Sequence, residues 1–345
     1  MSQFRQNPLT GQWVSIAPRR AERPMDYAES LDGSPAEVCP FCEGNERDTP
    51  LETLALRSAD APPNGPGWQV RVVTNRYPFV SVDHTDDEAN LAGDDLFATR
   101  SGAGLQEVII ESPQHLTEVT QLSATEWTDV LGVYRQRLEQ IQADGRWKYA
   151  LLFKNSGEQG GASLAHLHSQ LVALPTVPAQ VAAMWDRFRA HYEQYGRTLL
   201  VDIIQRELAA GERVVSEGEH FVALCPFASR QPYEMLVLPK RAIGNFAEAT
   251  DMELPALAAL LRDLIERLGK VYADVAFNWH FHSSPFDTIS PEHYHWHVEI
   301  VPRVTKTAGY EWATGNAVNI VSPETAAEHL RQLATPGAGG TAQKR

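Results

Sequence analysis

The chain has 345 residues, of which 43% are hydrophobic and 21% are charged, a composition typical of an ordinary globular protein. At this length we predict two domains of roughly 150 residues each. The formal net charge of −14 argues against a protein that binds nucleic-acid polymers or anionic membranes.

The sequence also bears on the compartment in which the protein works. No apolar run approaches the roughly 18 residues that span a bilayer, so we expect no membrane segment. Residues 1–10 are polar and lack the apolar stretch of a signal peptide, which predicts a cytoplasmic protein. Two of the three cysteines, Cys39 and Cys42, form a Cys-x-x-Cys pair. In a reducing compartment this spacing indicates a metal site and not a disulfide framework.

The first half of the chain is predicted to contain short strands and loops around one long helix. Apolar runs of strand length predict strands at residues 12–16, 69–74, 105–111, 149–154 and 166–174. Ser123, followed three residues later by Glu126, has the pattern of a capping box, and apolar residues at helical spacing predict a helix over residues 123–143. A helix over residues 181–195 would link the two halves.

The second half repeats this order. Strands are predicted at residues 220–225, 234–239, 276–282 and 293–301, with an amphipathic helix over residues 251–274. An internal duplication is the simplest account of the repeat. We therefore predict an α+β fold of two tandem domains, over residues 1–178 and 179–334, each an antiparallel sheet with helices packed on it. Residues 335–345 are predicted to be a flexible tail.

The segment from His166 to Gln170 is the strongest candidate for chemistry. On a strand, alternate side chains share a face, so His166, His168 and Gln170 would project together. Two imidazoles and an amide can bind a metal, attack an electrophile and donate hydrogen bonds. The glycine-rich run at 154–163 leads into this segment, and such a loop lets backbone N–H groups approach a phosphate. A polar surface strand is the alternative on the pattern alone.

The segment Cys39-Pro40-Phe41-Cys42 is the second candidate. Two thiolates can serve a tetrahedral zinc ion, which then needs two further nitrogen or sulfur ligands. His115 and His166 are the candidates for these. A redox-active pair is the alternative, but the thioredoxin-like strand and helix around such a pair are missing here.

These two candidates belong to a longer series of segments, whose order along the chain is specific. They are Trp13-Val14-Ser15 with Arg20 and Arg23, Cys39-Pro40-Phe41-Cys42, Thr74-Asn75-Arg76-Tyr77-Pro78, Glu111-Ser112-Pro113-Gln114-His115, Phe153-Lys154-Asn155, Gly161-Ala162-Ser163, His166 to Gln170, Pro232-Tyr233-Glu234 to Pro239-Lys240, Phe281 to Pro285, and His295-Trp296-His297. In this order the chain resembles the galactose-1-phosphate uridylyltransferase family, a branch of the histidine triad superfamily. The resemblance implies two tandem histidine-triad-like domains.

The resemblance also implies an activity and roles for residues. The activity is transfer of a nucleoside monophosphate between a nucleotide sugar and a sugar 1-phosphate, in galactose metabolism, by a ping-pong reaction through a nucleotidyl-histidine. His168 would be the nucleophile and Gln170 would bind the phosphoryl oxygens. Zinc would be held by Cys39, Cys42, His115 and His166. Substrate would be bound by Arg20, Asn75, Asn155, Ser163, Tyr310 and Glu311. A homodimer is implied as well, in which residues near Tyr310 complete the neighbour's sugar site.

The chain departs from the family's pattern around the sugar-contacting pair. The glutamine that the family carries downstream of Tyr310 and Glu311 is not evident in residues 312–316. Relatives that act as ADP-sugar or adenylylsulfate phosphorylases are therefore the alternative. A histidine-triad hydrolase that uses water as acceptor, or a nucleotide-binding protein, is the rival from a different class.

A second metal site of the family would use His282, His295 and His297 in this chain. The carboxylate that should complete it falls at Trp185. Glu299 stands where Gln170 stands in the first half, and a carboxylate repels phosphate. We therefore expect the second half to be a degenerate copy of the first.

Overall fold

All nine apolar runs that the sequence predicts as strands form strands. The computed structural model describes residues 2–9, 11, 13–17, 22, 39–83, 96–286 and 291–334. The strands are β1 (Gln3–Gln6), β2 (Trp13–Ile16), β3 (Glu52–Arg57), β4 (Trp68–Thr74), β5 (Thr99–Ser101), β6 (Leu105–Ile110), β7 (Tyr149–Ser156), β8 (His168–Leu174), β9 (Val214–Glu217), β10 (Phe221–Leu224), β11 (Met235–Pro239), β12 (Phe277–His282) and β13 (His297–Pro302).

Six α-helices lie within the described residues, and they include the three that the sequence predicts. They are α1 (Ala124–Asp144), α2 (Ala179–Tyr195), α3 (Leu199–Ala210), α4 (Glu253–Val271), α5 (Gly309–Thr314) and α6 (Pro323–Gln332). The predicted capping box of α1 is confirmed, because Ser123 Oγ accepts from the amide of Glu126 at 3.2 Å and the Glu126 carboxylate accepts from the amide of Ser123 at 2.7 Å. None of the described helices is both long and apolar enough to cross a bilayer.

The sequence prediction missed the strands β1, β3, β5 and β9 and the helices α3, α5 and α6, and it placed the start of two strands too early. Strand β8 begins at His168 and not at residue 166, and β13 begins at His297 and not at residue 293. The reason is the same in both halves. The amide of Leu167 donates to the carbonyl of Leu116 at 2.7 Å, and the amide of Trp296 donates to the carbonyl of Ile243 at 2.9 Å. Both contacts lead to loops outside the sheet.

The two halves share one sheet. Within the described residues, ten strands pair in the order β3-β4-β6-β8-β7-β12-β13-β11-β10-β9, and β2-β1-β5 form a small separate sheet. The order β6-β8-β7 of the first half is mirrored by β11-β13-β12 of the second, which supports the internal duplication. The halves meet where β7 pairs antiparallel with β12. The α+β class with antiparallel strands is confirmed; the boundary between residues 178 and 179 falls just before α2 and stays a prediction.

The register of the sheet decides which side chains share a face. Gln170 lies opposite Phe153, Phe153 opposite His280, and His280 opposite Glu299. Directly opposite residues of antiparallel strands point to the same side, so these four form a row on one face. Lys154 alternates with Phe153 and therefore faces the other side.

Helices α1 and α4 cover that other face and build the main core with it. The indole rings of Trp127 in α1 and Trp279 in β12 meet edge to face with their centroids 5.5 Å apart, and both are fully buried. Burial of each large apolar side chain contributes about 1.5–3 kcal/mol. Helices α1 and α4 thus cover one face of the sheet, and the candidate site lies on the opposite face, which carries the histidines.

We expect Gly157→Ala to destabilise the protein through one identifiable contact. Gly157 follows β7 with a φ of 74°, and a Cβ there would lie 2.8 Å from the Cβ of Ala276. A backbone with φ 74° and ψ 163° is a conformation that alanine avoids, at a cost of roughly 1–3 kcal/mol, and the close contact with Ala276 adds to that loss of unfolding free energy. Urea denaturation measures it, with Gly211→Ala as control, since Gly211 has a φ of 69° and open space around it. Equal losses in the two variants would contradict the expectation.

Candidate active site and metal cluster

Four side chains from three separate segments converge at one end of β8. The ligand atoms of Cys39, Cys42, His115 and His166 all lie within 4.8 Å of one another. Cys39 Sγ is 3.5 Å from His166 Nδ1, and Cys42 Sγ is 3.6 Å from His115 Nδ1. Tetrahedral zinc with two sulfur and two nitrogen ligands places these atoms roughly 3.5 Å apart. The donor set and its spacing therefore fit a four-coordinate zinc ion.

Local hydrogen bonds orient the members of this metal cluster. Cys39 and Cys42 are the ends of a turn in which the amide of Cys42 donates to the carbonyl of Cys39 at 3.3 Å. His166 Nε2 lies 2.8 Å from the carbonyl oxygen of Ser112, which can only accept, so Nε2 carries the proton. The lone pair of His166 then lies on Nδ1, the atom that faces the thiols. A hydrogen bond of this kind is the usual support of a metal-binding histidine.

The pKa values of the cluster suit a metal site. Burial lowers the pKa of His166 to about 4, so the imidazole is neutral at pH 7, as a ligand must be. Burial and the neighbouring Cys42 raise the pKa of the Cys39 thiol to about 11. The thiolate that binds zinc is therefore disfavoured until a cation is present, and metal binding would release a proton.

A cavity of about 270 Å³ adjoins the metal cluster and contains most of the predicted catalytic groups. His168, Gln170, Ser163 and Asn75 line it together with Cys39. The remaining wall is formed by Pro40, Phe41, Asp48, Thr49, Pro50, Val73, Thr74, Arg76, Tyr77, Val108 and Leu164. A partly apolar cavity with a few convergent polar groups is the usual form of a small-molecule site.

The imidazole of His168 is held in one tautomer. Its Nδ1 lies 2.7 Å from the carbonyl oxygen of His166, so Nδ1 carries the proton and the lone pair lies on Nε2. Gln170 is oriented by Gln106, a residue of β6 that sequence reasoning missed. Gln106 Nε2 donates to Gln170 Oε1 at 3.0 Å, and this leaves the amide group of Gln170 as a hydrogen-bond donor. The site therefore combines a nitrogen nucleophile with a donor for a developing negative charge.

Comparison with known proteins identifies this arrangement. The sequence profile of the N-terminal domain of galactose-1-phosphate uridyl transferases matches residues 1–178, and that of the C-terminal domain matches residues 184–336. The chain belongs to the galactose-1-phosphate uridylyltransferase family. It is thus an enzyme of a transferase family, and the predicted relationship is confirmed.

Two relatives with different names have similar sequence identity to this chain. The chain is 31% identical over 340 residues to an ADP-glucose phosphorylase of Arabidopsis thaliana, covering 96% of this chain and 93% of that protein. It is 30% identical over 342 residues to a galactose-1-phosphate uridylyltransferase of Haemophilus influenzae, covering 95% and 93%. The crystal structure of an Arabidopsis thaliana ADP-glucose phosphorylase with bound ADP-glucose superposes with a TM-score of 0.75 at 31% identity, covering 97% of this chain and all of that one.

Three predicted substrate residues that the structure describes, Asn155, Tyr310 and Glu311, do not line the cavity. Arg20 falls outside the described residues. Asn155 Oδ1 accepts from Asn278 Nδ2 at 2.8 Å, and the same amide donates to the carbonyl of Gly160 at 2.7 Å. Asn278 thus fastens the glycine-rich loop from the second half, a role that sequence reasoning missed. Tyr310 and Glu311 lie on α5, where Tyr310 is exposed and Glu311 accepts from the amide of Ala308.

The structure does not bring the three predicted ligands of a second metal site together. Both ring nitrogens of His295 have partners, since Nε2 lies 2.8 Å from the carbonyl of Pro239 and Nδ1 3.3 Å from Thr198 Oγ1. His297 Nδ1 lies 3.1 Å from the carbonyl of His295, and burial lowers the pKa of His297 to about 3. The ring of His297 stacks on that of His282 with centroids 4.7 Å apart. Sequence order alone could not show that these nitrogens are engaged.

His282 instead faces Glu299. Its Nε2 lies 3.4 Å from the Glu299 carboxylate, and His280 Nδ1 lies at the same distance. Arg230 donates to the other carboxylate oxygen at 2.6 Å. Although burial raises the pKa of the Glu299 carboxyl, its contacts with both histidines and the charge of Arg230 hold this pKa well below its usual range. Glu299 is therefore an anion enclosed by basic groups.

We expect Cys39→Ser to lower metal content and stability together. The substitution removes one of four ligands, and metal binding to such a cluster contributes directly to folding. Metal analysis and thermal unfolding of protein purified without chelator measure both. Cys225→Ala is the matched control, because Cys225 is a buried thiol outside the cluster. Wild-type metal content in Cys39→Ser would contradict this assignment.

Proposed function

We propose that this enzyme transfers a nucleoside monophosphate from a nucleotide sugar to a phosphate-bearing acceptor through a covalent intermediate on His168. The observation that carries the proposal is the contact of His168 Nδ1 with the carbonyl of His166 in a cavity that also holds Gln170. That contact gives Nε2 the lone pair that a nucleophile needs.

In the first step, Nε2 attacks the phosphorus atom that carries the nucleoside. The bond from phosphorus to the sugar 1-phosphate oxygen breaks, and the sugar 1-phosphate leaves with the electron pair. In the second step, a phosphate oxygen of the acceptor attacks the same phosphorus and the histidine leaves. Transfer at phosphorus depends mainly on positioning and charge neutralisation. The amide of Gln170, the hydroxyl of Ser163 and the loop amides supply the donors, and one such donor typically contributes about 10²–10³ in turnover.

The acceptor we propose is a hexose 1-phosphate, which makes the enzyme a UDP-glucose:hexose-1-phosphate uridylyltransferase of galactose metabolism. The second candidate is an ADP-sugar phosphorylase, in which inorganic phosphate accepts the nucleotide. The 31% identity to an ADP-glucose phosphorylase, beside 30% to a uridylyltransferase, supports this second candidate. Both use the same first step, so the two differ in base and acceptor only.

The metal cluster is proposed to hold one zinc ion with a structural role. Four protein ligands fill a tetrahedral site and leave no position for substrate. His166 enters the cluster through its ring and supports His168 through its carbonyl oxygen. Zinc would therefore stabilise the segment that carries the nucleophile.

The remaining proposals concern assembly and location. We propose a homodimer in the cytoplasm, in which Tyr310 and Glu311 complete the sugar site of the partner. Both lie on α5, where Tyr310 is exposed and Glu311 is half-buried, and neither lines the cavity, which supports a role that needs a second chain. A fully active monomer by light scattering at micromolar concentration would contradict the dimer.

Two exchange reactions distinguish the candidate functions. With UDP-glucose and labelled galactose 1-phosphate, we expect label in UDP-galactose, because the acceptor captures the uridylyl group from His168. With ADP-glucose and labelled phosphate, label in ADP would instead identify a phosphorylase. Release of free mononucleotide without acceptor dependence would identify a hydrolase and contradict both.

We expect His168→Gly to abolish the covalent adduct while the protein stays folded. Wild-type enzyme with a nucleotide sugar and no acceptor should gain one nucleotide, bound as a phosphoramidate that survives alkali and is lost in mild acid. In the variant, added imidazole should restore part of the turnover, because it fills the space of the lost ring. Mass spectrometry detects the adduct.

Gln170→Ala is the matched control for this experiment. It should still form the adduct, only more slowly, because it removes a donor and not the attacking atom. Labelling of His168→Gly at the wild-type rate would contradict the proposal.

A further inference from the structure

A buried lysine lies directly beneath the proposed nucleophile. Lys154 is 1% exposed and points to the helix-covered face of the sheet, away from the cavity. Its Nζ donates to the main-chain carbonyl of His168 at 2.9 Å and to Glu111 Oε2 at 2.6 Å. Lysine is almost never fully buried unless it is paired. The proposed chemistry on the cavity side gives this residue no task.

Glu111 connects the same lysine to both neighbours of His168. Its Oε1 accepts from Ser169 Oγ at 2.6 Å and from the hydroxyl of Tyr134. Its main-chain amide donates to the carbonyl of Leu167 at 3.2 Å. Residues 167, 168 and 169 are therefore each bonded to Glu111 or to Lys154, all within a fully buried network.

We infer that Lys154 is a positioning residue, which fixes the peptide of His168 and so aims its imidazole at the phosphorus. This inference rests on the proposed function. The ring is held by the carbonyl of His166 on one side, and the peptide is held by the ammonium of Lys154 on the other. With both fixed, Nε2 has one direction of attack.

Stability alone does not account for the pair. A buried ion pair replaced by neutral groups of similar volume is often as stable as the original, whereas removal of one partner is destabilising. An apolar side chain such as methionine cannot donate a hydrogen bond to the carbonyl of His168. A double substitution therefore separates positioning from stability.

The protein contains a matched buried pair that does not touch the site. Arg267 and Asp263 on α4 are both buried, with a nitrogen–oxygen distance of 3.0 Å, and Arg267 also donates to the main-chain carbonyls of Val215 and Leu330. The Arg267–Asp263 pair has the same arrangement as Lys154 and Glu111, since a buried cation contacts both a carboxylate and main-chain carbonyls. Arg267→Met with Asp263→Asn is therefore the control.

The test is the single-turnover rate of adduct formation in Lys154→Met/Glu111→Gln. Glu111→Gln keeps an oxygen that accepts from Tyr134 and Ser169. We expect adduct formation to slow by about 10–100-fold, the effect of a small misplacement of a reacting group. Nucleotide-sugar affinity and zinc content should stay at wild-type values. The control pair should react at the wild-type rate.

A second measurement repeats the double substitution in the His168→Gly background with added imidazole. Free imidazole is not attached to the main chain at residue 168, so we expect the double substitution to leave this rescued turnover unchanged. Equal slowing in both backgrounds would mean general damage and would overturn the inference. So would a wild-type rate of adduct formation in the double variant.

Two further outcomes bear on this inference. If the wild-type enzyme forms no adduct with UDP-glucose or ADP-glucose, the proposed function is overturned and this inference with it. If the double variant does not fold, Tyr134→Phe replaces it, because it removes a hydroxyl of the network without unpairing a charge. The inference is supported if Tyr134→Phe slows adduct formation but leaves the imidazole-rescued turnover of the His168→Gly background unchanged. It is overturned if Tyr134→Phe forms the adduct at the wild-type rate.

Discussion

The hydrogen bond between His168 Nδ1 and the carbonyl of His166 is the contact on which the site depends. It links two functions within three residues. The ring of His166 belongs to the metal cluster, whereas its carbonyl oxygen decides the tautomer of His168. Any change that moves His166 would therefore move His168, the proposed nucleophile. Through this contact the proposed zinc ion would affect the reactivity of His168 without contacting the substrate.

The second half keeps the backbone contacts of this arrangement but differs in its charged groups. His295 Nε2 contacts a carbonyl, and His297 Nδ1 contacts the carbonyl of His295, as their counterparts do in the first half. The difference lies at Glu299, an anion held by Arg230 and two histidines. A phosphate approaching that position would meet a negative charge and no amide donor.

The degenerate half nevertheless contributes to the active half. The strands β7 and β12 pair across the junction, and Asn278 holds both Asn155 and the carbonyl of Gly160. The loop that precedes the nucleophile is thus shaped partly by a residue of the second repeat. A single repeat would leave this loop and the edge of β7 unpaired, which explains why the halves form one continuous sheet.

The parts of the site that depend on neighbouring residues could be predicted from the sequence. The spacing of Cys39 and Cys42, the alternation of His168 with Gln170 and the capping box of α1 act over a few residues, and the structure contains each of these local arrangements. His166 precedes β8 and does not lie on the strand as predicted. Contacts between distant segments followed only from the fold. The pairing of Gln106 with Gln170 and of Lys154 with Glu111 joins residues 64 and 43 positions apart. The partners of His295 could not be predicted from the sequence either. The sequence shows which polar groups are available, but strand register and burial decide which of them come into contact.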